Sequence, residues 1–354
     1  MSSKKRVLIF TPGGVGGAER MSVLIGKLLP PDKFEVKFVI IGRLRNIYDI
    51  LPAGYAFDCI AVRNIYEFST FRIWRKIVKE KPDIVFTSQV AYNPRIIIAA
   101  KFAGTKVIVR SSGMLSDYSK SKFRQVRMTY PIADILIAQQ EDMREEMIRL
   151  LNVPSYKVVS IHNPLDTQTI DELCNVPSPY PDDEAVNYVQ TASVNYRKAQ
   201  DISLKAFSIV KKSIPNAKLY FVGDYCINSS YYNELQHYVI ENDLQDSVRF
   251  VGYDNNPFRW VKNADCFLLP SRAEGLPNAL IEASYLGIPC VAARCLNIVE
   301  DIINTGNNGY TVCVDDVDGF AHSMIKAIKL KNCKMIYRPG TSEDFVAVIN
   351  TLWQ

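Results

Sequence analysis

Residues 266–283, CFLLPSRAEGLPNALIEA, contain a strand, a loop and a helix in immediate succession. The apolar run Cys266–Pro270 is typical of a buried strand. Pro277 suits the first turn of a helix, where its missing N–H costs nothing, and we expect that helix to cover Pro277–Leu286. A strand, a short loop and a helix in this order form the repeating unit of a doubly wound α/β fold.

The same alternation runs through the whole sequence. Short apolar runs are separated by stretches with helical spacing of apolar residues, and this pattern predicts parallel sheets covered by helices on both faces. The other predicted strands are Arg6–Thr11, Phe34–Ile41, Phe57–Val62, Asp83–Thr87, Lys106–Arg110, Asp134–Ala138, Lys157–Ile161, Tyr188–Ala192, Ala217–Gly223, Ser247–Gly252, Pro289–Ala292 and Tyr310–Val314. The other predicted helices include Ala18–Leu29, Ser69–Lys81, Pro94–Phe102, Glu141–Leu151, Lys198–Lys212, Tyr231–Asn242 and Phe320–Lys329.

A proline-rich stretch divides this pattern in two. Residues 163–184 contain four prolines among acidic and polar residues, which is typical of a linker. We therefore predict one Rossmann-like domain at 1–165, a linker at 166–186, a second Rossmann-like domain at 187–340 and a C-terminal helix at 341–354. Two such domains are expected to place a ligand crevice at the carboxyl ends of their strands.

The composition is that of a globular protein. The chain has 354 residues, of which 48% are hydrophobic and 22% charged, and this length fits two domains. No apolar run approaches the roughly 18 residues needed to cross a bilayer. Eight scattered cysteines without a CxxC pair are expected to be reduced thiols of a cytoplasmic protein. The three histidines are not spaced for a metal site.

Charge is distributed unevenly along the chain. Residues 1–150 carry 25 lysines and arginines against 14 acidic residues, whereas the remainder carries 17 against 23. A basic half suggests an anionic partner, either a membrane surface or a phosphate-bearing acceptor, and simple solubility is the alternative. Nucleic acid is not expected as a partner, because no nucleic-acid-binding motif accompanies the charge.

Four glycines follow the first predicted strand, in the segment Gly13-Gly14-Val15-Gly16-Gly17-Ala18-Glu19-Arg20. Glycines let backbone amides approach an anion closely, and a helix start adds partial positive charge. We therefore expect Gly16 and Gly17 to contact a substrate. The alternatives are a structural turn and a nicotinamide-dinucleotide loop, which the glycine spacing fits poorly.

The loop at 271–277 also carries groups suited to ligand binding. Glu274 precedes the predicted helix and Glu282 lies within it. The backbone amides around Gly275–Leu280 are expected to face the loop unpaired, which would form a nest for phosphates. Because carboxylates repel phosphate, the two glutamates are expected to bind hydroxyls, one on a sugar ring and one on a ribose. A capped helix with two solvated glutamates is the alternative.

Together these segments resemble the retaining family-4 glycosyltransferases of GT-B fold. Residues 271–283 look like their Glu-x7-Glu signature, and Gly13–Arg20 resembles their Gly-Gly-Ala-Glu-Arg loop. Further similar segments, in the expected order, are Ile161–Asp166, Leu219–Asp224, Val248–Tyr253 and Asn307–Tyr310. The resemblance implies a first domain that binds the acceptor and a second domain that binds a nucleotide sugar.

The resemblance also implies roles for single residues. Glu274 would contact the donor sugar and Glu282 the ribose. Lys198 matches a lysine that holds the diphosphate, but Ser193 stands where an arginine is expected, so Arg197 is a candidate to compensate. The alternative for Arg197 and Lys198 is a solvated helix start. The implied catalytic residues are Glu274, Lys198 and Arg197, and the implied substrate-binding residues are Gly16, Gly17, Arg110, Gly223, Gly275, Leu276, Pro277, Asn278, Ala279, Leu280 and Glu282.

Asp316-Val317-Asp318 spells the DxD motif that binds metal and nucleotide sugar in another glycosyltransferase fold. Here it directly precedes a predicted helix, where an aspartate is an ordinary N-cap. The sequence therefore predicts no metal and no cofactor.

The sequence as a whole predicts a metal-independent glycosyltransferase that uses a nucleotide sugar, with a UDP-sugar favoured by family habit, and retains the anomeric configuration. The predicted acceptor is a glycan or a lipid-linked glycan, as in capsule or lipopolysaccharide assembly. A peripheral contact with the anionic inner face of the plasma membrane is expected through the basic first domain. The alternatives are an enzyme that cleaves or epimerises a nucleotide sugar, a nucleotide-sugar-binding protein without transferase activity and a NAD-dependent oxidoreductase.

Overall fold

The alternating strands and helices are present in a computed structural model, which describes residues 4–14, 17–42, 51, 54–60, 70–181 and 184–353. The chain divides into two compact units. Unit 1 comprises Met1–Leu165 and Pro339–Gln354, and unit 2 comprises Asp166–Arg338. The C-terminal segment therefore belongs with the first unit.

Unit 1 is built on a parallel sheet. Its described strands are β1 (Lys5–Pro12), β2 (Phe34–Ile41), β3 (Ala56–Ile60), β4 (Ile84–Thr87), β5 (Lys106–Arg110), β6 (Ile135–Ala138) and β7 (Val158–Ser160). Their order is β3-β2-β1-β4-β5-β6-β7, and each pairing is parallel. All four residues of β4 and of β6 are buried, as expected for a parallel sheet with helices on both faces. The described helices of residues 1–165 are α1 (Gly17–Leu28), α2 (Thr70–Glu80), α3 (Asn93–Phe102), α4 (Lys120–Thr129) and α5 (Glu141–Leu151).

Unit 2 repeats this architecture. Its described strands are β8 (Val186–Thr191), β9 (Ala217–Val222), β10 (Val248–Gly252), β11 (Cys266–Leu269), β12 (Cys290–Ala293) and β13 (Gly309–Val312). They pair in parallel in the order β10-β9-β8-β11-β12-β13. The described helices are α6 (Thr167–Cys174), α7 (Gln200–Ser213), α8 (Ser230–Glu241), α9 (Phe258–Lys262), α10 (Asn278–Tyr285), α11 (Ile298–Ile302) and α12 (Val317–Ala327).

The last helix, α13 (Ser342–Asn350), packs on unit 1. Thr341 and Asp344 form a capping box at its start, which satisfies two backbone donors. Phe345 and Ile349 are buried in the same apolar cluster as β1 and α1, so burial of one apolar face holds the helix in place.

The predicted α/β fold with two Rossmann-like sheets is confirmed. The ends of the predicted strands differ from the observed ends by no more than two residues, although the end of Phe57–Val62 and the start of Ser69–Lys81 lie outside the described residues. The prediction that residues 166–186 form a linker missed α6. Asp166 caps this helix by accepting a hydrogen bond from the Thr169 amide at 3.2 Å. An aspartate is a common N-cap, but the nearby prolines led to the prediction of a linker.

Each sheet has one place where the strand order reverses. This switch point lies between β1 and β4 in unit 1 and between β8 and β11 in unit 2. The helices that follow the two central strands lie on opposite faces there, so the loops at the carboxyl ends of those strands diverge and leave room for a ligand. The two segments singled out from the sequence, Gly13–Arg20 and 271–283, directly follow β1 and β11 respectively.

A network of four charged side chains joins β2, β3 and α2 in unit 1. The Lys37 ammonium lies 2.7 Å from an Asp58 oxygen and 2.9 Å from a Glu80 oxygen. Lys76 also pairs with both carboxylates. The hydrogen bond from Lys37, followed in size by the one from Lys76, lowers the pKa of Asp58 to about 2.

We expect Asp58→Asn to lower the free energy of unfolding at pH 7 by about 1 kcal/mol or less, because water screens this partly exposed group. A lowered pKa stabilises the folded state above the unfolded value of 3.8, and the contribution is lost as the pH falls towards 2. Urea unfolding at pH 7 and pH 3 measures the difference between variant and wild type, which should shrink at pH 3. Asp32→Asn, at an exposed position, is the control, and a pH-independent effect of Asp58→Asn would contradict the prediction.

Candidate functional site in unit 2

Two loops meet at the switch point of the second sheet. One follows β8 and includes a 3-10 turn at Tyr196–Lys198, and the other follows β11 and leads to α10. β8 and β11 are adjacent parallel strands, so their carboxyl ends lie side by side. This adjacency brings the predicted residues Lys198 and Glu274 together.

The Lys198 ammonium binds both oxygens of the Glu274 carboxylate, at 2.6 and 2.8 Å. The Ser271 hydroxyl donates a further hydrogen bond of 2.7 Å to the same carboxylate. Glu274 is only 6% exposed, and a buried carboxylate is tolerated when it is both paired and hydrogen-bonded. The ammonium has three N–H donors, of which two are used here.

A buried side chain of β8 holds the backbone of Lys198 in place. Its carbonyl accepts a hydrogen bond of 2.7 Å from the Gln190 side chain, whose oxygen in turn accepts one of 2.8 Å from Ser203. Gln190 and Ser203 are buried. Ala199 adopts a left-handed conformation with φ 52°, which turns the chain from the 3-10 turn into α7. No role for Gln190, Ser203 or Ser271 follows from the sequence alone. Ser271 stands only three positions before Glu274, and this short interval is the one signal that could have found it.

The start of α10 differs from the prediction in one respect. Pro277 is the N-cap rather than a first-turn residue, because its ψ of 70° is not helical. Its carbonyl accepts hydrogen bonds from the Leu280 and Ile281 amides, and the Leu276 carbonyl accepts one from the Asn278 amide. The prediction that all amides of this stretch are unpaired is therefore wrong for Asn278 and Leu280.

Three amides of the stretch remain available. Within the described part of the chain, the amides of Gly275, Leu276 and Ala279 donate no hydrogen bond to protein. They lie at a helix N-terminus, where partial positive charge attracts anions. The side chains of Leu276, Pro277 and Leu280 are buried, so these residues shape the loop. Glu282 is half-buried on α10, just over one turn after the loop ends.

Gly223 lies beside the same loops. A Cβ at this position would lie 2.1 Å from the Ala192 carbonyl oxygen, and its φ of 153° favours glycine. The Gly223 amide donates to the Gly252 carbonyl at 2.8 Å. Gly223 therefore allows the loops after β8 and β9 to approach each other closely.

Ser193 and Arg197 occupy exposed positions on the loop after β8. The Ser193 hydroxyl accepts a hydrogen bond of 3.0 Å from the Asn195 side chain. Arg197 contributes its backbone carbonyl to the Arg272 amide at 2.9 Å, and its guanidinium pairs with no carboxylate among the described residues. The structure thus leaves the charge of Arg197 accessible to an anion.

In unit 1 the described predicted residues are Gly17 and Arg110, whereas Gly16 lies outside the described residues. Gly17 is exposed at the start of α1, and a Cβ there would contact nothing within 4 Å. Arg110, at the end of β5, is 2% exposed and donates a hydrogen bond to the Asn163 side chain. Arg110 is thus tied to the Asn-Pro turn that ends the first Rossmann-like sheet.

The DxD segment is a helix cap, as predicted. The Asp316 carboxylate accepts a hydrogen bond of 2.9 Å from the Gly319 amide at the start of α12. Across the residues that the structure describes, no cluster of three or more His, Cys, Asp or Glu side chains is arranged to hold a metal ion.

The two halves of the chain match two glycosyltransferase family models. Residues 15–169 match Glycosyltransferase Family 4, and residues 179–341 match Glycosyl transferases group 1. With its two Rossmann-like units, the protein is a glycosyltransferase of the GT-B type. Within that class the chain belongs to the glycosyltransferases described by these two models, Glycosyltransferase Family 4 and Glycosyl transferases group 1. The two matches together span most of the chain.

Individual proteins to which the chain is similar are also glycosyltransferases. The chain is 28% identical over 251 residues to an uncharacterized glycosyltransferase of Methanocaldococcus jannaschii, a match that covers 66% of this chain and 61% of the relative. It is 23% identical to the UDP-Gal:alpha-D-GlcNAc-diphosphoundecaprenol alpha-1,3-galactosyltransferase of Escherichia coli, over 90% of this chain and 88% of that protein. The crystal structure of Anabaena HepE in complex with UDP-glucose has a similar fold, with a TM-score of 0.80 at 16% identity, covering 98% and 99% of the two chains.

We expect Asp316→Ala to lower the free energy of unfolding by about 1 kcal/mol, because the α12 cap is lost. Asp318→Ala is the control, since Asp318 is exposed in the first turn of α12 and its side chain caps no amide of the described residues. Urea unfolding with and without Mn²⁺ measures the free energy of unfolding of wild type and of both variants. Equal losses in the two variants, or stabilisation of the wild type by Mn²⁺ that both variants abolish, would contradict the N-cap interpretation.

Proposed function

We propose that this glycosyltransferase takes its sugar from a nucleoside-diphosphate sugar, with UDP-sugars as the first choice, and retains the anomeric configuration without a metal ion. The observation that carries the proposal is the cluster of Lys198, Glu274 and Ser271 at the switch point of the second sheet. The UDP-Gal specificity in the name of the Escherichia coli relative and the UDP-glucose bound to Anabaena HepE support the choice of nucleotide.

In this proposal the diphosphate lies between the 3-10 turn and the start of α10. The third N–H of Lys198, the accessible guanidinium of Arg197 and the unpaired amides of Gly275, Leu276 and Ala279 are the positive groups available to it. Positive groups that are already in place stabilise the negative charge that develops on the leaving group. Arg197 supplies the positive charge that the resemblance leads one to expect from an arginine at the position of Ser193.

The two glutamates bind hydroxyls. Glu274 is held by Lys198 and Ser271 and accepts from a hydroxyl of the donor sugar. Glu282, on α10, binds the ribose. Gly223, which follows β9, and Asn278, the first residue of α10, contact the donor through backbone and side-chain polar groups. Carboxylates suit these roles because they accept strong hydrogen bonds from hydroxyls.

The reaction proceeds on one face of the sugar. The bond between the anomeric carbon and the phosphate oxygen breaks, and the acceptor oxygen forms the new bond on the face that the phosphate leaves. The proton of the acceptor hydroxyl passes to the departing phosphate oxygen, so no side chain of the protein serves as a base. The contribution of Lys198, Arg197 and the helix start is electrostatic.

We assign the acceptor to unit 1. Gly17 and the buried Arg110 lie at the carboxyl ends of β1 and β5, where ligands of such sheets bind. The acceptor is a glycan or a lipid-linked glycan, and the diphosphoundecaprenol in the name of the Escherichia coli relative supports a lipid-linked acceptor.

A basic surface of unit 1 supports a peripheral contact with an anionic membrane at the cytoplasmic face. Helix α4 buries Val126 and Thr129 and exposes four cationic side chains, namely Lys120, Lys122, Arg124 and Arg127. Met128, 72% exposed, adds an apolar group beside them. Among the described helices, none has the length and apolar character required to span a bilayer.

We expect Lys198→Ala and Glu282→Ala each to lower kcat/KM for sugar transfer by about 100-fold or more, because each removes a charged contact to the donor. Lys218→Ala is the matched control, since Lys218 lies in the same unit and its ammonium, among the described residues, bonds only the Asp246 carbonyl. Circular dichroism checks that all three variants fold. Turnover at the wild-type rate in either of the first two variants would contradict the proposed donor site.

A thermal-shift screen of nucleotide sugars, followed by product analysis, tests the reaction itself. We expect UDP-sugars to raise the melting temperature most, and the glycosylated product to form only when a lipid-linked or glycan acceptor is present. Release of free sugar or of an epimer at the same rate without acceptor would contradict the assignment as a transferase. A change at the nicotinamide absorbance band would point to redox chemistry instead.

Flotation with liposomes tests the membrane contact. We expect wild type to float with phosphatidylglycerol vesicles and not with phosphatidylcholine vesicles. Replacement of the four α4 cations by glutamine should weaken binding by about 1 kcal/mol for each charge. The control replaces four exposed lysines of unit 2, namely Lys326, Lys329, Lys331 and Lys334. Equal binding of both vesicle types, or an equal loss in both variants, would refute a contact through α4.

A further inference from the structure

Arg272 lies between Ser271 and Glu274 in the loop after β11 but points to other partners. Its guanidinium forms two hydrogen bonds with the Asp201 carboxylate, at 2.9 and 2.7 Å. Its Nε atom lies 2.8 Å from an Asp315 oxygen. These contacts join the loop after β11 to α7 and to the loop after β13.

Arg272 also holds the 3-10 turn that carries Lys198. Its backbone amide donates to the Arg197 carbonyl at 2.9 Å, and its Nη1 donates to the Tyr196 carbonyl at 2.8 Å. The guanidinium carbon lies 4.0 Å from the centre of the Tyr196 ring, within the range of a cation–π contact. One side chain thus contacts the ring and a carbonyl of the turn while it binds α7.

The turn depends on such external contacts. Tyr196–Lys198 is only three residues long, and its internal ties are hydrogen bonds from the Lys198 amide to Asn195 and from the Ala199 amide to Tyr196. A 3-10 turn of this length has poor hydrogen-bond geometry and little stability of its own. Gln190 holds the far end of the turn through the Lys198 carbonyl, and Arg272 holds the near end.

The charge of Arg272 is already matched. Asp201 and Asp315 supply two carboxylates, and Asp201 also accepts a hydrogen bond of 2.7 Å from Tyr231. Burial acts to raise the pKa of Asp201, but the hydrogen bonds from Arg272 and Tyr231 outweigh it and hold that pKa below its usual range. Arg272 is therefore engaged in binding protein groups rather than a phosphate.

We propose that Arg272 is a positioning residue that fixes the Tyr196–Lys198 turn against the loop after β11, so that the Lys198 ammonium is already in place for the diphosphate. The inference rests on the proposed function, since it requires that Lys198 binds the donor. The role needs an arginine, because a lysine keeps the charge but lacks the planar fork that binds Asp201 at two points and stacks on Tyr196. A ligand-binding group whose supporting residues are fixed binds more tightly, because less order is lost on binding.

The test is Arg272→Lys in the full chain, with UDP as the probe. We expect calorimetry to show about tenfold weaker UDP binding or more, because hydrogen bonds between charged groups are lost while the net charge is kept. Hydrogen exchange of the ligand-free protein should be faster at the amides of Lys198 and Ala199, with the rest of unit 2 unchanged. The exchange measurement separates positioning from direct contact with UDP, since no ligand is present.

Arg259→Lys is the matched control. Arg259 also binds a carboxylate through two nitrogens, since its Nε and Nη2 lie 3.2 and 2.7 Å from one oxygen of Asp254. Among the contacts of the described residues, none joins Arg259 to the 3-10 turn. We expect this variant to bind UDP as the wild type does. Tyr196→Ala and Tyr196→Phe form a second pair that serves if Arg272→Lys folds poorly. The alanine variant loses the stacked ring and should exchange faster at Lys198 and Ala199, and the phenylalanine variant should not.

Three results would overturn the inference. The first is UDP binding by Arg272→Lys that equals that of wild type, and the second is unchanged exchange of the turn. The third is an equal loss of binding in Arg259→Lys, which would show a general loss of stability. Failure of the proposed function looks different, because wild type itself would then bind no UDP, and the inference would fall with it.

Discussion

The burial of the Glu274 carboxylate is the constraint on which the loops of unit 2 depend. A charged group that is 6% exposed is strongly destabilising unless opposite charge and hydrogen bonds compensate it. Lys198 and Ser271 provide that compensation. Because Lys198 follows β8 and Ser271 follows β11, the two loops must fold towards each other. The same pairing that stabilises the carboxylate brings together the residues of the proposed donor site.

The parallel sheet makes this pairing possible. β8 and β11 are neighbours although β9 and β10 separate them in the chain, so their following loops share one edge of the sheet. Two further devices complete the arrangement. Gly223 lets the loop after β9 approach Ala192 without a clash, and Arg272 ties the 3-10 turn to α7 and to the loop after β13. The sheet thus determines which loops meet, and the side chains determine how closely.

Much of the fold could be predicted because its signals are local. Strands buried on both faces are short apolar runs, and the Asp316 cap directly precedes its helix. The site was predictable only in part. Spacing and family resemblance singled out Glu274 and Lys198, but they gave no hint that Arg272 holds the turn. The hydrogen bonds that occupy the Asn278 and Leu280 amides depend on the backbone angles at Pro277, which residue types alone do not specify.

The amino-acid sequence by itself determined the positions of the described strands and of several long helices, because the spacing of buried residues in strands and helices is set by neighbouring positions. It did not determine the short helix α6. It also determined the family, through motifs that lie in one order along the chain. Only the tertiary structure decided that Lys198 binds Glu274 across 76 positions of sequence and that Arg272 reaches Asp201. The physical reason is that strand order, which makes distant loops neighbours, arises from the packing of the whole unit and leaves no local pattern.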